Sequence, residues 1–158
     1  MNHLQPDTRI HNPAGVRIQS VVDVSAPAAD TWALIGNFGG FERFIPALEC
    51  IQVTGTGDGQ VRNKTFKDGN FAIEQLNTYD DVGMSMTWTL IHTSLPVGNL
   101  WAAMQVEALD EARSRAVWTI QAEPLQTGGL QDAEAFKGFL QAFADGAMAE
   151  AARVLSAA

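Results

Sequence analysis

Four stretches of this chain place small or apolar residues at every second position, and that spacing limits what the chain can fold into. Val16, Ile18, Ser20, Val22 and Val24 alternate with Arg17, Gln19, Val21 and Asp23. Met84, Met86, Trp88 and Leu90 alternate with Ser85, Thr87 and Thr89. Leu100, Ala102, Met104 and Val106 share one side of a third run, and Ala116, Trp118 and Ile120 one side of a fourth. A strand turns successive side chains to opposite faces, so each run reads as a β-strand with one face buried. A turn around Asp110 sets Ala102 opposite Trp118 on the inner face. The same register sets Glu107 opposite Arg113 on the outer face, where unlike charges favour each other.

Three further strands are expected near residues 49–54, 60–66 and 70–79. Lys67-Asp68-Gly69 joins the last two. Asp-Gly fits either a two-residue turn or a three-residue loop with Gly in the left-handed region. Two segments read as helical. Ser25-Ala26-Pro27 carries capping and helix-start chemistry. It precedes a short helix over 28–38 with Trp32 and Ile35 inward, and Gly39-Gly40 ends it. Phe41 to Ile45 adds another turn. A long helix over 132–155 carries Phe136, Phe139, Leu140, Phe143, Ala147, Ala151 and Leu155 at steps of three and four, one broad apolar stripe. Gly138 and Gly146 interrupt it. An antiparallel sheet needs one face covered, and the final helix is the element long enough to cover it. The expected class is α+β: a seven-stranded antiparallel sheet around a long C-terminal helix, with two short helices after the first strand. A sheet curled around one helix often leaves space between them.

Composition excludes several functions. The chain has 158 residues and a net charge of −8. That length suits one domain, expected over 16–158 after a flexible tail at 1–15. The acidic balance argues against nucleic acid, whose phosphates need clustered Lys and Arg. No stretch approaches a membrane span, and the N-terminus lacks the apolar core of a signal peptide. The single cysteine, Cys50, allows no internal disulfide and fits a reducing cytoplasm. His3 and His11 carry metal-ligating chemistry, but nothing else in the tail supports a site, so no metal and no cofactor is expected. Cys50 with His92 suggests a thiol nucleophile, yet neither a neighbouring base nor a lowered pKa is indicated, and a buried or half-buried inert thiol is expected. No zinc spacing, phosphate loop or nucleotide fingerprint occurs.

The ordered set of motifs resembles a known superfamily. It comprises Ala26-Pro27…Thr31-Trp32, Phe41…Phe44-Ile45-Pro46, Gly57…Gly59-Gln60-Val61-Arg62, Glu74-Gln75-Leu76…Asp80-Asp81, Met86-Thr87-Trp88-Thr89-Leu90, Leu95-Pro96-Val97-Gly98-Asn99, Val117-Trp118 and the terminal helix. It is similar to the helix-grip superfamily of START and birch-pollen-allergen-like proteins (SRPBCC). Within that superfamily it resembles the polyketide cyclase/dehydrase group, near the plant abscisic acid receptor branch. The resemblance implies an internal cavity for a small hydrophobic ligand, such as a lipid, quinone or polyketide-like molecule. It places Glu74 where the receptors carry a glutamate that reaches ligand through water. Leu95-Pro96-Val97 falls where receptors carry a latch loop with His and Arg, and both of those residues are missing here.

Strand parity groups Glu74 with Ala72 and Leu76, although it also allows Phe71 and Ile73 as the inner pair. Arg62 faces Glu74 directly if the loop has three residues, and lies on the opposite face if it has two. Trp88, Trp118, Met86, Met104, Leu90 and Leu100 are the expected wall, joined by Trp32, Phe44, Ala72, Ala102, Ile120, Phe136 and Leu140; an ordinary filled core is the alternative. Trp101 falls on the outer face by parity, either as a homodimer contact or as a stray exposed aromatic. Two functions remain. A binding protein needs shape and one or two polar anchors, with Glu74 anchoring the ligand's polar end. A cyclase or dehydratase-like enzyme needs an acid and a base; Glu74 is the candidate base, Arg62 the orienting partner, and no acid is evident. In the binding reading, Glu74→Gln costs affinity and spares the fold.

Overall fold

The computed structural model describes residues 15–125 and 132–157. The tail over 1–14, with His3 and His11, lies outside them. The alternating runs become seven antiparallel strands: β1 (Val16–Val24), β2 (Leu48–Thr54), β3 (Val61–Phe66), β4 (Phe71–Asp80), β5 (Ser85–Thr93), β6 (Val97–Ala108) and β7 (Ser114–Pro124). They form one sheet in the order β1-β7-β6-β5-β4-β3-β2. Consecutive strands pair as hairpins except at β1, which closes on β7. Helix α1 (Ala28–Ile35) and a 3-10 turn at Phe41–Arg43 carry the chain from β1 to the far edge. Helix α2 (Ala133–Ser156) lies across the inner face with Phe136, Leu140, Ala144, Ala147, Met148 and Ala151 buried. Asp132 caps it, its side chain accepting from Ala135 N at 2.9 Å. No helix among the described residues is long and apolar enough to cross a membrane.

Helix α1 is shorter than its sequence suggests. Pro27 is the N-cap and no side chain caps it, so Ser25 has no such role. The helix stops at Ile35 rather than near residue 38; its C-cap, Gly36, lies against the Trp32 ring, where a Cβ would collide with it. The early stop frees Phe38, whose carbonyl and ring both meet Arg62.

Loop length sets both informative registers. Gly69 has φ +92, the left-handed region that Gly favours, and Phe66 N donates to Asn70 O across Lys67-Asp68-Gly69. This is the three-residue loop, and it pairs Arg62 with Glu74. Between β6 and β7 the register runs two residues beyond the sequence expectation. Ala102 faces Ile120, Met104 faces Trp118, and Glu107 faces Arg115 rather than Arg113. Asp110 holds a longer loop, accepting from Ala112 N and pairing with Arg113 at 2.8 Å. A two-residue slip preserves every side chain's face, so the inner set is the expected one.

Three local expectations are corrected. Met84 is a turn residue with φ 51, and β5 begins after it. Cys50 is exposed rather than buried or half-buried. Trp101 is only 9% exposed, which removes the exposed aromatic offered as a dimer contact. Gly138 and Gly146, the interruptions of the α2 stripe, face open space on its exposed side.

Candidate functional site

Between the inner face of the sheet and α2 lies a cavity of about 70 Å³. Its wall contains Ala72 and Glu74 from β4, Trp88 and Leu90 from β5, Leu100 and Ala102 from β6, Trp118 and Ile120 from β7, and Leu140 from α2. The other expected wall residues lie elsewhere. Met86, Met104, Phe44 and Phe136 are buried in the core. Arg62 stands behind the wall, and Trp32 borders an outer cleft. The wall also includes Lys64, Leu95, Phe139 and Phe143, of which sequence reasoning singled out Phe139 and Phe143 only as helix-stripe residues. Phe139 is 37% exposed although it lines the cavity, so the helix side of the site reaches solvent. A water needs roughly 10–15 Å³, so this volume holds a few waters or a small fragment. A larger ligand must displace wall side chains.

One buried ion cluster marks the end of the cavity near β3 and β4. Arg62, Lys64 and Glu74 are 0%, 4% and 4% exposed. Arg62 Nε donates to Glu74 Oε1 at 2.9 Å, and Lys64 Nζ lies 2.9 Å from the same oxygen. Arg62 Nη2 is also 2.9 Å from Oε1, but off hydrogen-bond geometry. Arg62 Nη1 donates to Phe38 O at 2.7 Å. The guanidinium carbon sits 4.0 Å from the Phe38 ring centre, 4.1 Å from Phe41 and 4.9 Å from Trp88. Such stacking is worth about 2 kcal/mol or more when desolvated. It makes Arg62 a fixed partition: Phe38 borders the outer cleft and Trp88 the inner cavity.

The cluster sets the protonation states. Burial by itself raises the Glu74 pKa, but the charges of Lys64 and Arg62 and their hydrogen bonds outweigh it, so the carboxyl is held below its ordinary value. Burial lowers the Lys64 pKa, partly offset by Glu74 and reinforced by Arg62. Burial also lowers Arg62, with Glu74 opposing. Glu74 is therefore an ionised structural counter-charge. A general base works best with a pKa near the working pH, and this environment moves Glu74 the other way. The sequence signal for Lys64 was present, because it lies two residues from Arg62 on one strand and so on the same face.

The outer cleft is larger, about 810 Å³, and open to solvent between α1, the β2–β3 loop and the β4–β5 turn. Trp32 Nε1 donates to Asp81 Oδ1 at 2.9 Å beneath it, and Tyr79 stacks on Trp32 with centroids 5.5 Å apart. Its lining is mixed, whereas the smaller cavity is less open and predominantly apolar, the character of a small-molecule pocket. Cys50 on edge strand β2 and His92 on β5 are separated by β3 and β4, so they form no dyad. Among the described residues no cluster of three or more His, Cys, Asp or Glu side chains stands ready for a metal.

Comparison with known proteins agrees with this fold. The profile of the family described as "Polyketide cyclase / dehydrase and lipid transport" matches residues 15–156. No curated protein matches the sequence significantly. An uncharacterised protein from Bacillus thuringiensis is similar, with TM-score 0.78 and 20% identity over 89% of this chain and 98% of the other. XoxI from Bacillus cereus aligns with TM-score 0.75 and 22% identity, covering 88% and 94% of the two chains. The Zhui aromatase/cyclase from a Streptomyces species aligns with TM-score 0.73 and 19% identity over 87% and 94%. At these identities the likeness is one of fold.

Proposed function

The chain belongs to the polyketide cyclase / dehydrase and lipid transport family, and from that premise we propose that it binds a small apolar or amphipathic molecule in the cavity between sheet and helix. The observation that carries this reading is a partly enclosed, predominantly apolar wall with a single ion cluster at one end. Apolar surface supplies affinity, and a few placed polar groups orient the ligand. Leu95, Leu100 and Phe139 provide the room, since all three line the cavity and keep some exposure. Catalysis as a cyclase or dehydratase has weaker support. Glu74 is occupied by two cations, its pKa is lowered, and among the described residues no other Asp or Glu lines the cavity. A receptor-like role rests on the position of Glu74 alone, because the loop at Leu95-Pro96-Val97 lacks the His and Arg of that branch.

Intrinsic tryptophan fluorescence tests the proposal, because Trp88 and Trp118 both face the void, with ring centroids 6.1 Å apart. Titration with 1-octanol, a naphthoquinone and an aromatic phenol should shift or quench the emission saturably. Trp118→Phe should reduce the response. Ala72→Leu, which carries more carbon into the void, should weaken binding by about tenfold or more, the equivalent of roughly 1.4 kcal/mol. Absence of saturable binding by every probe, or unchanged affinity in Ala72→Leu, contradicts the assignment.

A further inference from the structure

We propose that the ligand is an amphipathic monoanion, its carboxylate or phenolate seated against the Lys64 ammonium and its apolar body lying along the cavity wall; this rests on the cavity being the ligand site. The argument is one of charge and hydrogen-bond accounting. Arg62 and Lys64 are both buried, and both meet the carboxylate of Glu74. Two cations against one carboxylate leave one positive charge over. A buried charge is costly unless paired. The ion-pair contacts converge on Oε1, and Oε2 takes none of them.

Arg62 has little left to offer a ligand. Its Nε and Nη1 are engaged by Glu74 and Phe38, its plane is enclosed by aromatic rings, and it does not line the cavity. Lys64 does line it. An ammonium has three N–H donors, and Lys64 directs one of them at Glu74 Oε1. Trp118 in the same wall has a buried Nε1–H without a hydrogen-bond partner. The wall therefore carries spare donors and an uncompensated positive charge. A neutral ligand leaves that charge uncompensated, a cationic one adds to it, and an anionic oxygen accepts from the donors and completes the pairing. Apart from Glu74 and Thr93, the rest of the wall is aliphatic and aromatic carbon, which suits a hydrocarbon or ring.

A matched series separates the charge preference from the cavity reading. 1-Octanol, octanoate and octylamine share one chain length and differ in head group. At neutral pH, tryptophan titration of the wild type should give octanoate an affinity roughly tenfold to a hundredfold above octanol, the range of one hydrogen bond to a charged group. Octylamine should bind most weakly. Lys64→Met leaves Arg62 and Glu74 as a balanced pair and should bring octanoate to the level of octanol. Equal wild-type affinities for octanoate and octanol overturn the proposal without any need for the variant. A preference for octanoate that survives in Lys64→Met overturns the role of Lys64. If neither octanol nor octanoate binds, the cavity reading itself fails and the anion with it.

Discussion

Glu74→Gln should destabilise the fold by about 3–5 kcal/mol, the usual result of removing one partner from a buried ion pair. The sequence alone suggested a ligand anchor whose charge could be removed without harm. The structure instead places its carboxylate against two buried cations, so the substitution leaves both of them unpaired. Urea unfolding of wild type and variant measures the loss, and Gln75→Glu on the exposed face is the control that should change little. The pH dependence has a definite sign. The Glu74 pKa is lower in the fold than in the unfolded chain. Its stabilisation is therefore complete above the ordinary carboxylate range, about pH 4.3, and is lost as pH falls through the lower folded value. That component should be missing from the acid limb of Glu74→Gln. Lys64 has a lowered pKa in the fold and loses its proton more readily without Glu74, so the variant should regain stability toward alkaline pH. A loss below about 1 kcal/mol, within the range of an exposed ion pair, would refute the role given to this cluster.

Trp118→Ala is the second large effect. Trp118 is 2% exposed and touches Phe41, Trp88 and Phe143, with ring centroids 6.0, 6.1 and 5.9 Å away. Truncation should cost about 3–5 kcal/mol through lost burial and the hole left behind. That hole adjoins the existing cavity, so the variant gains room for a ligand. Saturating 1-octanol should then recover part of the thermal midpoint by mass action, and by more than in the wild type. A small loss of stability, or no recovery with octanol, would mean that the space around Trp118 is not the ligand's.

The parts of this fold that depend on parity were legible. Period two in the chain gave the strands and their inner faces, and the three-and-four spacing gave α2. Register was legible only where the loop was. The Gly in Lys67-Asp68-Gly69 made the Arg62–Glu74 pairing one of two options, and the structure selects it. Around Asp110 nothing in local spacing revealed that the aspartate caps a longer loop, and β7 lies two residues from the expected register. Lys64 shares Arg62's face but was passed over, because lysine is rarely buried without a partner, and the partner was already assigned. Cavity volume had no sequence signal. It depends on how far Phe139, Phe143 and Leu95 project toward β5–β7, which is a property of packing and not of pattern.

Methyl-selective NMR of the wild type, titrated with octanoate or octanol, tests the central claim most directly because it distinguishes the inner cavity from the outer cleft. The account predicts that the largest shifts fall on Leu90, Leu95, Val97, Leu100, Ile120 and Leu140, which line the cavity. Ala29, Ala33 and Met84, which border the cleft, should stay in place. Shifts centred on Ala29, Ala33 and Met84, with the cavity methyls unmoved, would contradict it.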